Sequence, residues 1–331
     1  MSLSLLTPFL LVVGASLGWS ALDWVRKEMA SRTGPIPFLI VLTAGQAAII
    51  LPFILSGGGT IQAEAGYWLP GLASLALNIL ANWLFMRAVA RSPLSLTVPY
   101  LALTPVFTTL LAMPLLREFP TALQGAGVVL TVAGALTLNP DCAKGVRAMA
   151  TGFWRERGSA YMALVALLWS LASPLDKLAM QHASPTFHGL VLSVGLPVAF
   201  LAILAAQRQL ATLKEPFVRP GVMAMGVVFG AGALLMQLSA MQLLYVGLVE
   251  AIKRVIGITM AAVLGRVFFQ EPITRQKAID VFARDGGTVR EHDFTLAETY
   301  AADEAFVTGT LGGITPVARI DGRLIGGGKP G

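Results

Sequence analysis

Of 331 residues, 55% are hydrophobic and only 13% are charged, where a soluble domain carries about 25% charged residues; the composition points to a polytopic membrane protein. The net charge of +6 raises nucleic acid as a partner. The basic residues, however, sit in short loops between apolar segments, as the positive-inside bias predicts, so the lipid bilayer is the expected partner and nucleic acid is not. The single cysteine, Cys142, excludes a disulfide framework and a cysteine-built zinc site. His182, His188 and His292 have no ligand partners at metal spacing, so no metal is expected.

The opening MSLSLLTPFLLVVG has no basic stretch before its apolar run and reads as a first membrane helix rather than a cleaved signal peptide. Segments long enough to span, about 20 residues each, fall at 4–24, 36–56, 67–89, 93–116, 121–138, 159–180, 187–206, 219–245 and 248–270. Turn residues separate them, among them Thr33-Gly34-Pro35, Ser92-Pro93, Asn139-Pro140 and Ser184-Pro185.

The spans repeat. At a shift of 150 residues Trp19-Ser20 falls on Trp169-Ser170, Lys27 on Lys177 and Pro35 on Pro185. At 155, Asn82 falls on Gln237; at 153, Tyr100 falls on Lys253 and Glu118 on Glu271. Each unit holds five helices. An odd number makes the second unit enter from the opposite side, so the expected fold is an all-α polytopic bundle with an inverted five-helix repeat. The place of a tenth helix, TRQKAIDVFARDGGTVRE, carries Asp280, Arg284, Asp285, Arg290 and Glu291. Charges near a helix centre cost about 2.5–3.5 kcal/mol each on insertion scales, so about nine spans are expected, with the tenth missing. The expected divisions are repeat one at 1–138, a basic loop at 139–158, a truncated repeat two at 159–272 and a small α/β fragment at 273–331.

Candidate site residues come from polar groups inside the spans. Glu250, Lys253 and Arg254 are spaced i, i+3, i+4 and share one helix face; ionisable residues at such depth usually face a polar interior, and the cation pair would attract a carboxylate or other anionic group. Asn78 and Asn82 share a face of the third span, with Gln237 the repeat partner of Asn82. Trp19, Trp169 and Tyr100 complete the proposed cavity lining. Asp23-Arg26-Lys27 and Asp176-Lys177 read as solvated ion pairs at helix ends, Glu118 and Glu271 as groups that orient helix ends, and His188 as a structural hydrogen-bonder.

In the tail, Thr295 is a plausible N-cap for a helix over 295–302, segments 305–310 and 314–320 read as strands, and Asp321-Gly322 reads as a hairpin turn. The short helix at 278–283 and the extended stretch at 288–291 complete that reading.

Several of these stretches carry resemblances. The spans PVFTTLLAMPLLREFPT and ITMAAVLGRVFFQEPIT both run into an acidic residue, and QGAGVVLTVAGALTL is a small-residue helix. With VEAIKRVIGITMAAVLGRVFFQE, they make residues 1–272 resemble the EamA family of the drug/metabolite transporter superfamily. That resemblance implies transport of amino acids, other metabolites or drugs, usually coupled to an ion gradient or by exchange. The tail holds Tyr300 to Thr310 (YAADEAFVTGT), Gly313-Ile314-Thr315-Pro316-Val317, Ile320-Asp321-Gly322-Arg323 and Gly328-Lys329-Pro330-Gly331. From about 274 to 331 it resembles the class IV aminotransferases. The resemblance implies that Gly309 and Thr310 correspond to residues holding the phosphate of pyridoxal phosphate, with Leu311 beside the substrate carboxylate. The family's Schiff-base lysine lies upstream of the part present; Lys277 and Lys329 do not take its place.

The expectation is therefore a transporter of small metabolites (amino acid, organic anion or drug-like) working by alternating access, with its activity open to loss because the last helix is replaced. It has no catalytic residues and no expected cofactor; Gly309 and Thr310 are at most a vestigial phosphate loop. The alternatives are a non-functional chimeric reading frame and, less favoured, a pyridoxal-phosphate enzyme. An integral protein of the bacterial inner membrane, with a cytoplasmic tail, is the expected location.

Overall fold

The computed structural model describes residues 3–30, 32–91, 101, 103–137, 157–268, 295–303, 306–309, 313–317, 319–321 and 323–325. They divide into two compact units, Met1–Met260 and Ala261–Gly331.

Helices make up the first unit: α1 (Leu3–Ala30), α2 (Pro35–Phe53), α3 (Trp68–Arg91), α4 (Thr104–Leu116), α5 (Ala122–Thr137), α6 (Arg157–Ala179), α7 (Pro185–Ala206), α8 (Pro220–Leu243) and the start of α9 (Val246–Phe268). Their ends follow from local chemistry. Proline opens α2, α7 and α8, where its missing N–H is no loss and its φ is already helical. Ser184 caps α7 by accepting the Phe187 N–H at 3.1 Å. After α2 the chain makes a wide π turn over Ile54–Gly58, in which Gly57 takes φ 95°, a conformation that glycine adopts without a Cβ clash. Arg117 ends α4 in the left-handed region at φ 56°. Leu244 is extended, and two residues later α9 begins.

The helices pair across the two halves of the unit: α1 lies along α8, α3 along α6 and α2 along α7, with α4 against α6 and α2 also against α8. Small residues set the spacing. A Cβ on Gly18 would meet Ala233 Cβ at 2.9 Å, so glycine there lets α1 approach α8 closely. Apolar clusters fill the seams, for example Leu22, Val25, Met29 and Leu42 with Met223. The outer faces carry exposed large apolar side chains such as Leu10, Leu55, Leu69 and Val198. That is the polarity a bilayer solvates and water does not.

Among the described residues, six helices are long and apolar enough to cross a membrane: Leu6–Arg26, Pro35–Gly58, Ala65–Phe85, Ala160–Ala179, Pro185–Ala206 and Pro220–Leu243. Nine spans were expected, and the other three are not confirmed among the described residues. The described part of span 93–116 is the 13-residue helix α4, and residues 92–100 lie outside the described set. The described part of span 121–138 is the 16-residue helix α5, and residues 138–156 lie outside the described set. Helix α9 has the length, but it carries Glu250, Lys253, Arg254 and Arg266. At the other extreme, α1 runs on past the expected end at residue 24 to Ala30, because Asp23 and Arg26 pair along its surface at 2.8 Å instead of ending it.

In the second unit, α10 (Leu296–Tyr300) opens on a capping box. Thr295 Oγ1 accepts the Glu298 N–H at 3.3 Å, and Glu298 Oε2 accepts the Thr295 N–H at 2.7 Å. Strand β1 (Phe306–Gly309) pairs antiparallel with β2 (Gly313–Pro316), and β3 (Arg319–Ile320) with β4 (Arg323–Leu324). The single strand expected over 314–320 is thus two, separated after Pro316. The hairpin at Asp321 is as expected, with Asp321 at φ 50°. Tyr300 donates its hydroxyl to Asp321 at 2.8 Å, and Arg323 covers its ring at 4.6 Å. The segments at 278–283 and 288–291 lie outside the described residues.

Candidate functional site

A cavity of about 250 Å³ lies inside the helical unit, far above the roughly 10–15 Å³ that one water needs. Helices α1, α2, α3, α4, α6, α7, α8 and α9 all contribute to its wall. Helix α5 does not reach it: its main neighbour is α4, and Leu123 and Leu130 are 84% and 74% exposed.

Glu250, Lys253 and Arg254 converge on this cavity from the first turns of α9. Lys253 Nζ donates to Glu250 Oε1 at 2.5 Å and to Gln237 Oε1 at 3.3 Å. The same Gln237 oxygen accepts the Trp19 indole N–H at 2.7 Å, so one amide ties α1, α8 and α9 together. Glu250 is buried and also accepts from Ser173 at 3.4 Å. Arg254 is different. Its Nη2 reaches Thr104 Oγ1 only at 3.4 Å, its Nε is buried without a hydrogen-bond partner, and among the described residues it makes no ion pair.

Asn78, Asn82 and Trp169 also line the cavity. Asn82 donates to the Asn78 carbonyl at 2.8 Å, and the Trp169 ring sits 5.7 Å from that of Phe85. Of the nine residues expected in a binding site, the structure brings eight together; Tyr100 lies outside the described residues.

Other lining residues include Gln46 and Ser193, which the sequence reading passed over, and Asp176, which it read differently. The Ser193 hydroxyl is buried with no partner among the described residues. Asp176 and Lys177, expected as a solvated pair at a helix end, are not paired. Lys177 reaches Glu118 at 2.5 Å and the Leu244 carbonyl at 2.8 Å. The buried Asp176 carboxylate accepts from Ser74, and His188 Nε2 lies 2.9 Å from the same oxygen. His188 is a buried hydrogen-bonder, as expected, with Tyr67 Oη 3.0 Å from its Nδ1. Glu118 orients a helix end, as expected: its Oε2 accepts the Val246 N–H that opens α9, at 2.8 Å. Glu271 lies outside the described residues.

In the second unit, Gly309 ends β1 opposite Gly313 and Thr310 lies outside the described residues. The only described member of the expected phosphate loop is therefore a backbone position already engaged in a strand pair. No chemistry is derived through pyridoxal phosphate.

Two parts of the chain match known families. Residues 6–139 match the EamA-like transporter family, and residues 271–320 match the amino-transferase class IV family. The D-alanine aminotransferase of Listeria monocytogenes is 48% identical over 59 residues, which is 18% of this chain and 20% of that enzyme. The branched-chain-amino-acid aminotransferase of Pseudomonas aeruginosa is 44% identical over 59 residues, 18% of this chain and 19% of its own length. The chain thus spans about a fifth of these curated relatives. One solved crystal structure of another protein superposes with a TM-score of 0.59 at 17% identity. It covers 85% of this chain and 94% of its own, and at that identity it speaks for the fold alone. The six apolar helices and the EamA match support an integral membrane protein.

Proposed function

We propose that residues 1–272 form a transporter that moves small metabolites by alternating access, with the α1–α9 cavity as its substrate site. The observation that carries this reading is Arg254. Its guanidinium lies at the wall of a chamber inside a membrane bundle, with one nitrogen buried and unpartnered. An ionisable side chain at such depth is a functional-site hypothesis by default. The neighbouring Lys253 is neutralised by Glu250, so the unmatched charge in this corner is positive, and the substrate carries an anionic group. Trp19 and Trp169 face its apolar part, and Asn78, Asn82 and Gln237 its polar edges.

Alternating access draws support from the helix pairing. Exchanging the two five-helix repeats turns the α1–α8 pair into α6–α3 and returns α2–α7 to itself, and all three pairs occur. We read the bundle as nine spans in an inverted repeat whose tenth helix is replaced by the 273–331 segment. We assign no catalytic residue, metal or cofactor to it. The bacterial inner membrane is the proposed location, with the basic loops and the tail on the cytoplasmic side. A second reading, a non-functional chimeric frame, is favoured by one observation: the class IV match begins at residue 271, where the transporter-like part ends.

Uptake into proteoliposomes tests the proposal. Neutral residues of similar length at Lys253 or Arg254 should reduce it more than the same change at the loop residue Lys214. Equal effects at all three positions would remove the cavity from the mechanism, and no uptake of any amino acid or organic anion by the parent protein would favour the chimeric frame. Limited proteolysis should cut the 273–331 segment in inside-out vesicles; cutting only in right-side-out vesicles would reverse the orientation.

A further inference from the structure

The buried carboxylates of the helical unit differ in how their charge is met. Glu250 has Lys253 and Glu118 has Lys177, each at 2.5 Å. Asp176, also buried, has only His188 within ion-pair distance among the described residues, and a histidine carries charge only when it holds a proton. A buried carboxylate without a compensating cation is costly in a medium of low polarity. Among the described residues no lysine or arginine lies within ion-pair distance of Asp176, and a proton can supply that compensation.

The hydrogen bonds define where that proton goes. An ionised Asp176 can only accept, so His188 donates from Nε2, and the neutral ring then accepts the Tyr67 O–H at Nδ1. The chain Tyr67–His188–Asp176 is complete with the imidazole neutral. It is also complete with one proton more, the Tyr67 oxygen then accepting from Nδ1–H. On the other side Ser74 donates to Asp176, and Asn78 Nδ2 lies 3.2 Å from Ser74 Oγ. Both Asp176 and Asn78 are on the cavity wall, so the dyad is one polar step from the chamber.

Other charged groups near the dyad are few. Helices α2 and α8 contain no titratable residue, and those of α3 are Arg87 and Arg91 at its far end. Helix α7 contributes only His188. Helix α9 presents Glu250 and Lys253 as a closed pair with Arg254 beside them on the same cavity wall, α1 brings Asp23 and Arg26, paired with each other at 2.8 Å, and Lys177, next to Asp176 on α6, is committed to Glu118. Beyond α7's start, His182 pairs with Glu64 at the exposed end of the bundle.

We propose that Asp176 and His188 form a shared proton-binding site on the wall of the transport cavity, making the proton the coupling ion. Ser173, one turn before Asp176 on α6, donates to Glu250. Neutralising Asp176 therefore changes the field one helical turn from the group that holds Lys253, which links proton occupancy to the anion-attracting corner.

The inference rests on the transport reading, but its test needs no substrate. Full-length protein in lipid vesicles is labelled with 15N-histidine and followed across about pH 5 to 8, where imidazole characteristically changes charge. The three histidines are separated with His188→Gln. Infrared difference spectra over the same range report protonated carboxyl groups. The expected result is one proton shared by the pair: His188 converts between neutral and protonated signals, or a carboxylic-acid band grows that Asp176→Asn lacks. In Asp176→Asn, His188 should stay neutral throughout. Tyr67→Phe, which keeps the ring, should preserve the titration and shift the Nδ1 signal, and it serves if Asp176→Asn does not fold. A His188 that keeps one neutral form in the parent protein, with no carboxylic-acid band from Asp176, would overturn the proposal while leaving transport untouched. A titrating dyad in vesicles that take up nothing would leave the proton site standing and remove the transport reading.

Discussion

Glu250 meets Lys253 at 2.5 Å, and Glu118 meets Lys177 at the same distance. Both pairs are buried, yet their surroundings differ. The second carboxylate oxygen of Glu118 takes the first N–H of α9, and Lys177 also holds the Leu244 carbonyl just before it. Four groups close on one another and fasten the α8–α9 junction to the ends of α4 and α6. The Glu250–Lys253 pair opens instead onto a chamber, with Arg254 beside it only half satisfied. The two sites share an ion-pair chemistry; a fastening differs from a binding corner in whether neighbouring donors and acceptors are used up.

The largest effect is expected at the fastening. Removing one partner of a buried pair leaves the other charge uncompensated, at about 3–5 kcal/mol. Glu118→Gln keeps the shape and an acceptor for the Val246 N–H but strands Lys177. It should lower the thermal unfolding midpoint sharply, and adding Lys177→Met should recover most of the loss, since neither charge then remains. A double-mutant cycle on unfolding in detergent measures this. Additive losses would mean that the pair is not coupled.

Arg254→Gln should do the reverse. The guanidinium has no ion pair to lose among the described residues, so the midpoint should hold or rise. Uptake should fall by about tenfold or more, the factor that 1.4 kcal/mol of binding represents. A variant that unfolds early would show that Arg254 is part of the fastening and not of the chamber.

How much of this could be read beforehand depends on the kind of signal. Apolar length and Pro–Gly punctuation locate the helices, because both act locally. The α9 charges stand out because a charge in an apolar span has few harmless explanations. Serines and threonines carry no such signal. Ser16, Ser20 and Thr43 line the cavity, yet each hydroxyl bonds the carbonyl four residues back on its own helix. From sequence they cannot be told from the same residues facing lipid. Asp176 is misread for a related reason. Beside Lys177 it reads as a helix-end pair, but adjacent residues on a helix point about 100° apart, and the two side chains find different partners. The strand expected over 314–320 divides because alternation alone does not register where pairing ends, and Pro316 is the last residue of β2 paired with β1.

A smaller effect is expected from Trp19→Phe. The ring is kept and only the bond from the indole N–H to Gln237 is lost, worth about 1 kcal/mol, or about fivefold in apparent affinity for the transported anion. Gln237 then has Lys253 as its remaining partner, so the change should read in affinity and scarcely in unfolding. A loss in unfolding as large as that from Glu118→Gln would place Trp19 among the fastening groups.

The smallest effect belongs to Asp23 and Arg26. This pair also lines the cavity, but its side chains are 66% and 35% exposed. An i, i+3 pair in contact with solvent is worth about 0.3–0.5 kcal/mol and is screened by salt. Asp23→Asn should therefore shift the unfolding midpoint only slightly, and the shift should vanish at about 1 M salt, where the Debye length is roughly 3 Å. Alternating access adds a condition to that expectation. If the chamber closes at the α1 end during transport, Asp23 and Arg26 lose their water in that state, and the pair becomes as costly to break as a buried one. Uptake by Asp23→Asn would then fall while its unfolding stayed near the parent's. Uptake and unfolding that both stay within error would mean that this end of the chamber remains wet throughout the cycle, leaving the Glu118–Lys177 end to do the closing.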